Sequence, residues 1–210
     1  FSVIFLILSY GILYSTSKDF NYPILQWNVS CFTIISLVFM ISLLITNLQV
    51  SVSTFNDQFN IDLASTFFKI LLVLSTLGCA LISLRYLEYK KVNSFEYFVL
   101  ILLALLGMFC LVSSNELLIL YVSIELMSLS FYILAAYKRN SEFSCEAGLK
   151  YFILGAFSSG LLLFGISMLY GFTGLSNIEE ISRLLTGMNS LSNSECHNGI
   201  LIGIFFISVS

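Results

Sequence analysis

Apolar residues in this chain come in long, almost uncharged blocks separated by short polar stretches. Runs without any Asp, Glu, Lys or Arg include residues 21–56, 97–115, 151–178 and 198–210. About 20 apolar residues cross the hydrocarbon of a bilayer as a helix, and a helix satisfies its own backbone groups where water is absent. The pattern predicts a partial first helix over 2–14, spans at 29–50, 63–84, 97–112, 116–137 and 146–170, and a last apolar run at 199–210. Polar loops hold Lys18, Asp19 and Pro23 after the first helix, and Asp57 and Asp62 after the second. A basic stretch over 85–91 follows the third. A tight turn at 113–115 joins the fourth to the fifth, which Lys138 and Arg139 close. The expected fold class is an all-α integral membrane protein, with about six transmembrane helices plus part of a seventh in one membrane domain over 1–210.

Residues 171–198 read as an extramembrane loop with a short amphipathic helix. Ser176, Asn177, Ile178 and Glu179 spell a capping box. Ile178, Ile181, Leu185 and Met188 share one face, and Glu179 precedes Arg183 by four residues. A surface helix packing on its own subunit explains this pattern, and so does a docking site for a partner. Residues 189–198 read as irregular. With alternating spans, Lys18, Arg85, Lys90, Lys91, Lys138 and Arg139 fall on one side. Arg183 falls on the other with Asp57, Asp62, Glu116, Glu179, Glu180 and Glu195. Basic loops stay on the side of synthesis, the matrix or the cytoplasm.

Composition excludes a soluble domain: 58% of residues are hydrophobic and 10% charged, against roughly a quarter charged in soluble domains. The five cysteines (Cys31, Cys79, Cys110, Cys145, Cys196) form no CxxC, and His197 is the one histidine, which gives no metal or iron–sulfur pattern. No phosphate loop, dinucleotide motif or Ser–His–Asp set is present. Phe1 opens directly into an apolar segment, so no cleavable leader is expected within these residues.

Glu125 carries the most information. It lies nine residues after Glu116 and thirteen before Lys138, roughly 14 Å and 20 Å along a helix, and so near mid-membrane. Ionisable groups at that depth are costly and usually face a protein interior, where they mark ion or proton paths. Tyr121, Ser128 and Tyr132 lie on its helical face and make a polar stripe. A protonated Glu125 hydrogen-bonded only for packing is the alternative. Lys150, four residues after Glu146, is either part of a proton relay or a lysine snorkelling to the interface. The same choice applies to Lys69 in the third span. Gly155 with Ser159, and Ala156 with Gly160, are spaced for close helix approach.

From residue 96 to 174 the chain reads EYFVLILLALLGMF, then NELLILYVSIELMSLSFYILAAYKR, then SEFSCEAGLKYFILGAFSSGLLLFGISMLYGFTG. This stretch resembles the N-terminal half of subunit 2 of the NADH–quinone oxidoreductases (respiratory complex I), an antiporter-like family. The resemblance implies the first half of an inverted-repeat fold, with Glu125 as the family's essential glutamate on helix five and Lys150 as a lysine of the proton path on helix six. It implies a proton-translocating half-channel whose NADH, flavin, iron–sulfur clusters and quinone belong to partner subunits. Expected surroundings are other membrane-arm subunits and lipid, without nucleic acid, in the mitochondrial inner membrane or else a bacterial plasma membrane. The family pairs its glutamate with a lysine on helix seven, which these residues do not include. Either a separate chain carrying the C-terminal half or a longer version of this chain is therefore expected. A sodium/proton antiporter subunit and a structural half-subunit that no longer pumps are the rival readings.

Overall fold

The computed structural model describes residues 2–15, 22–48, 51–90, 95–138, 140–187 and 194–210. Lys18, Asp19, Lys91, Arg139, Met188 and residues 189–193 lie outside them, as do the side chains of Pro23, Lys90, Glu195, Cys196 and His197. Among the described residues eight helices and one small hairpin follow in order: α1 (Ser2–Ser15), α2 (Tyr22–Thr46), β1 (Val52–Thr54), β2 (Phe59–Ile61), α3 (Leu63–Lys90), α4 (Glu96–Ser113), α5 (Leu117–Ala135), α6 (Glu142–Thr173), α7 (Ile178–Gly187) and α8 (Ser194–Val209). Five of these, α2 to α6, are long and apolar enough to cross a membrane, while α1 and α8 hold shorter apolar stretches.

Several boundaries differ from the hydropathy pattern for local reasons. The second helix starts at Tyr22 and not at 29, which places Pro23 in the first turn, where a missing N–H costs nothing. The third runs on to Lys90, because Arg85 to Lys90 are good helix formers and cations suit a helix C-terminus. The sixth begins at Glu142, a turn before 146. Residues 194–198, read as irregular, open α8.

The Asp57–Asp62 loop contains an antiparallel hairpin, with Val52 opposite Ile61, Ser53 opposite Asn60 and Thr54 opposite Phe59. Strands of three residues are too short to show a period of two. Its turn puts Phe55, Asn56 and Asp57 at φ of 55°, 53° and 63°, which Asn and Asp tolerate and Phe disfavours. Ser65 then accepts from the Asp62 N–H at 2.8 Å and starts α3.

The capping box at Ser176 does not form. Asn177 caps α7 instead, its Oδ1 accepting from Glu179 N–H at 2.9 Å. Ser176 Oγ donates to Glu116 Oε1 at 2.8 Å, so its hydroxyl is committed elsewhere. The amphipathic character of α7 holds: Ile181 is buried, and Arg183 faces Glu179 at 3.8 Å on the exposed side.

Helices α1 to α4 pack around one apolar core of Ile7, Val29, Leu37, Val73, Ala80, Leu87, Phe98, Leu102 and Leu105. From α4 the bundle continues as a row, α5 on α4, α6 on α5 and α8 on α6. Gly165 and Gly203 bring α6 and α8 together, since a Cβ on Gly165 would stand 2.9 Å from Gly203 O. Of the small-residue pairs in α6, Gly155 packs against α5. Ala156 and Gly160 face outward while Ser159 is half-buried, so the Ala156–Gly160 pair makes no close approach among the described residues.

Candidate functional site

Helix α5 is clasped on two opposite sides, and this fixes where Glu125 points. On one side a Cβ on Gly107 of α4 would sit 2.9 Å from Met127 N and 3.1 Å from Ser123 O, so the two backbones touch. Ser123 and Ser130 are buried along this seam, and their hydroxyls donate to Ile119 O and Leu126 O of their own helix. On the other side Tyr132 is buried against α6. Its ring meets Tyr151 at 4.9 Å and Phe152 at 5.6 Å, edge to face, and lies over Gly155, where any Cβ would collide with the Tyr132 hydroxyl.

At 100° per residue, Glu125 lies about 160° away from Ser123 and on the Tyr132 side of the helix. It is eight residues from Leu117 and ten from Ala135, about 12 Å and 15 Å along the axis, and so midway through α5. Its carboxyl atom Oε2 is buried and has no hydrogen-bond partner among the described residues. Tyr121 and Ser128 are half-buried on the same face. Ser128 Oγ donates to the main-chain oxygen of Glu125 at 3.0 Å, not to its carboxyl group. The predicted stripe therefore exists as a face. Its members support the helix and its packing more than they solvate the acid.

The other candidates stand apart from this face. Gly148, buried against Ala136, and Gly155 mark the side of α6 that meets α5. Lys150, two residues past Gly148, points the other way. Its side chain is 70% exposed and its Nζ stands 2.6 Å from Glu146 Oε1. Gly148 stands level with Ala136, so Lys150 and Glu125 are separated by about 14 Å along the bundle. Lys69 is 8% exposed, inside the wall of α3 that meets α4, near Cys110 and, among the described residues, without a carboxylate within ion-pair distance. It belongs to the α1–α4 core and lies across α4 from the Glu125 face.

Sequence reasoning missed what holds the acidic-side ends of these helices. Asn115, buried in the turn between α4 and α5, donates its backbone N–H to Gln58 O at 2.8 Å and its side-chain amide to Asp57 O at 3.0 Å. Its carbonyl accepts from Ile178 N–H at 2.9 Å. Leu117 N–H donates to Ser176 O at 3.0 Å. The hairpin, the turn into α5 and the start of α7 are thus tied together, which places all three acidic loops on one face, as the charge pattern required. A Ser-Ser-Asn turn announces polarity in the sequence but not its partners. At the other end of α5, Tyr137 packs edge to face on Tyr97 at 5.6 Å. Burial, with the Glu96 carboxylate adding to it, pushes the Tyr137 phenol up to about 12.

Among the described residues no group of three or more His, Cys, Asp or Glu side chains is placed to hold a metal. The arrangement offers a mid-helix carboxyl group with one oxygen buried, on a wall of aromatic and small residues, a setting in which a proton can be taken up and released.

Comparison with known proteins agrees with the resemblance read from the sequence. Residues 114–210 match the family described as NADH:quinone oxidoreductase/Mrp antiporter, TM. Over 205 residues, 97% of this chain and 42% of the relative, the sequence is 44% identical to NADH-ubiquinone oxidoreductase chain 2 of Marchantia polymorpha. It is 45% identical to NADH-quinone oxidoreductase subunit N of Pelagibacter ubique over 175 residues, 80% of this chain and 36% of that one. The fold superimposes on a chain of respiratory complex I from Thermus thermophilus with a TM-score of 0.64 at 23% identity, covering 96% of this chain and 42% of the other. The chain thus spans well under half the length of the relatives it matches. It is a multi-helix membrane protein that belongs to the NADH:quinone oxidoreductase/Mrp antiporter family.

Proposed function

We propose that this chain forms a proton-translocating half-module in the membrane arm of an NADH:quinone oxidoreductase, in the inner mitochondrial membrane, with Glu125 as the group that takes up and releases the proton. The observation that carries the reading is the buried, unpartnered Oε2 of Glu125 at mid-helix. In a low-dielectric interior a carboxyl group keeps its proton when no cation faces it and gives it up when one approaches. That cation comes from the remainder of the subunit, outside residues 1–210, packing on the face of α5 that carries Glu125. The exposed pair Lys150–Glu146 hands protons between the basic side and this interior, through groups outside these residues that bridge the gap. Electrons pass from NADH to quinone in partner subunits. Moving a charge against the membrane potential costs about 2.3 kcal/mol per 100 mV, which that redox reaction supplies.

Replacing Glu125 by Gln in the assembled complex keeps the shape and removes the titrating group. NADH-driven proton uptake into sealed membranes should fall while the complex still assembles. Pumping at the parental rate would return Glu125 to a packing role and the half-module to a scaffold.

A further inference from the structure

The N-terminal half of α2 and the C-terminal half of α3 enclose a cleft of about 680 Å³ that the proton-carrier reading does not use. Its lining includes Trp27, Leu81, Ile82, Leu84 and Arg85. Trp27 is 57% exposed and Ile82 76% exposed, so the walls are apolar and open to the outside of the bundle. Arg85 is exposed in the last turns of α3 and has no carboxylate within 4 Å among the described residues. α2 begins at Tyr22 and α3 ends at Lys90, so Trp27 and Arg85 each lie five residues, about 7.5 Å, inside their helix ends and at the same depth, on the side of the basic loops. An aromatic ring belongs at the headgroup level. A guanidinium makes paired hydrogen bonds to a phosphate. Basic pockets between transmembrane helices on this side suit anionic headgroups.

We propose that this cleft binds an anionic phospholipid, with its phosphate on Arg85, its glycerol region beside Trp27 and one acyl chain along Leu81 and Ile82. A zwitterionic lipid would fill the same apolar walls but bring its own cation to compete with Arg85, so headgroup selectivity is the signature of the site. The test uses the assembled complex in phosphatidylcholine bilayers, doped with phosphatidylglycerol or phosphatidylcholine bearing the same photoreactive acyl chain. Crosslinks are mapped to the peptide holding residues 81–85. The anionic probe should label it about fivefold more than the neutral one. Arg85→Gln should bring the anionic yield down to the neutral yield, while the neutral yield stays unchanged and reports an intact fold. Arg85→Lys should retain part of the preference. Equal labelling by both probes in the parental protein, or undiminished preference in Arg85→Gln, would overturn the site and leave an apolar face wetted by bulk lipid.

Discussion

The α1–α4 bundle and the α5–α6–α8 row use the same kinds of residues to different ends. In the bundle four helices share one core, and Lys69 is buried on α3, the helix that gives Val73, Ala80 and Leu87 to it. In the row each helix meets its neighbours along a strip and shows the rest. On α6, Leu154 is 70% and Phe157 69% exposed, whereas on α4 Phe98 is 1% exposed. Glu125 stands in the row, its buried oxygen unpaired. A bundle closed on itself has no room to change what a titratable group sees. A wall one helix thick does, because whatever packs on it alters the charge and dielectric at the acid.

The strongest way to break this comparison is to move the acid. Glu125→Gln should lower NADH-linked proton pumping by about tenfold or more, in line with loss of a positioned proton carrier, with the protein still assembled. Lys69→Met should act on assembly more than on pumping. If the two substitutions depress proton uptake equally, the division into scaffold and working wall is wrong.

Next in size is the seam that sets the acid's direction. Gly155→Val must push Tyr132 off α6, at about 1–3 kcal/mol for overpacking. Thermal stability of the detergent-solubilised complex should fall, and Tyr132→Ala in the same chain should restore part of it. No rescue would mean that the seam is not where α5 is oriented.

Asn115→Ala removes the amide donor to Asp57 O and loosens the hairpin turn, at about 1–2 kcal/mol. Protease cleavage between residues 52 and 61 in sealed membranes should rise while Glu125-dependent pumping persists. Unchanged cleavage would mean that the turn holds itself.

Lys150→Ala breaks an exposed ion pair and should change stability by about 0.5 kcal/mol or less. Proton uptake should fall less than in Glu125→Gln. A loss as deep would place Lys150 at the centre of the path, against its position on the far face of α6.

The last effect is confined to alkaline pH. The Tyr137 phenol is held at about 12, above its ordinary 10, so the folded state binds its proton more tightly than the unfolded state does. Its contribution is full below pH 10 and is lost as pH rises toward 12. Tyr137→Phe should flatten the stability profile in that window, and an unchanged profile would assign the alkaline loss to other groups.

The five long helices α2 to α6 were legible because each is a long apolar block, and so was the mid-helix place of Glu125, since a carboxylate inside such a block has no ordinary surface explanation. Arg183 and Glu179 were legible because their contact lies within one turn. What escaped depends on contacts distant in sequence. Whether Lys150 or Lys69 is buried depends on which helix covers it, and composition cannot say. Ser176 carried a capping signature, yet Glu116, sixty residues away, took its hydroxyl and left the cap to Asn177. The hairpin at 52–61 is held in part by Asn115, so its strands have no signature of their own.

Asn115 has a consequence for how the chain enters the membrane. Its three bonds reach the segment between α2 and α3 and the segment after α6, which are made early and late in synthesis. The junction closes only when both have been delivered to the same side as the turn before α5. A helix inserted the wrong way round, or skipped, would carry one of these partners to the opposite side and leave buried amide groups unsatisfied, at about 1–3 kcal/mol each. One small polar residue thereby acts as a check on topology, completed only after six helices are in place.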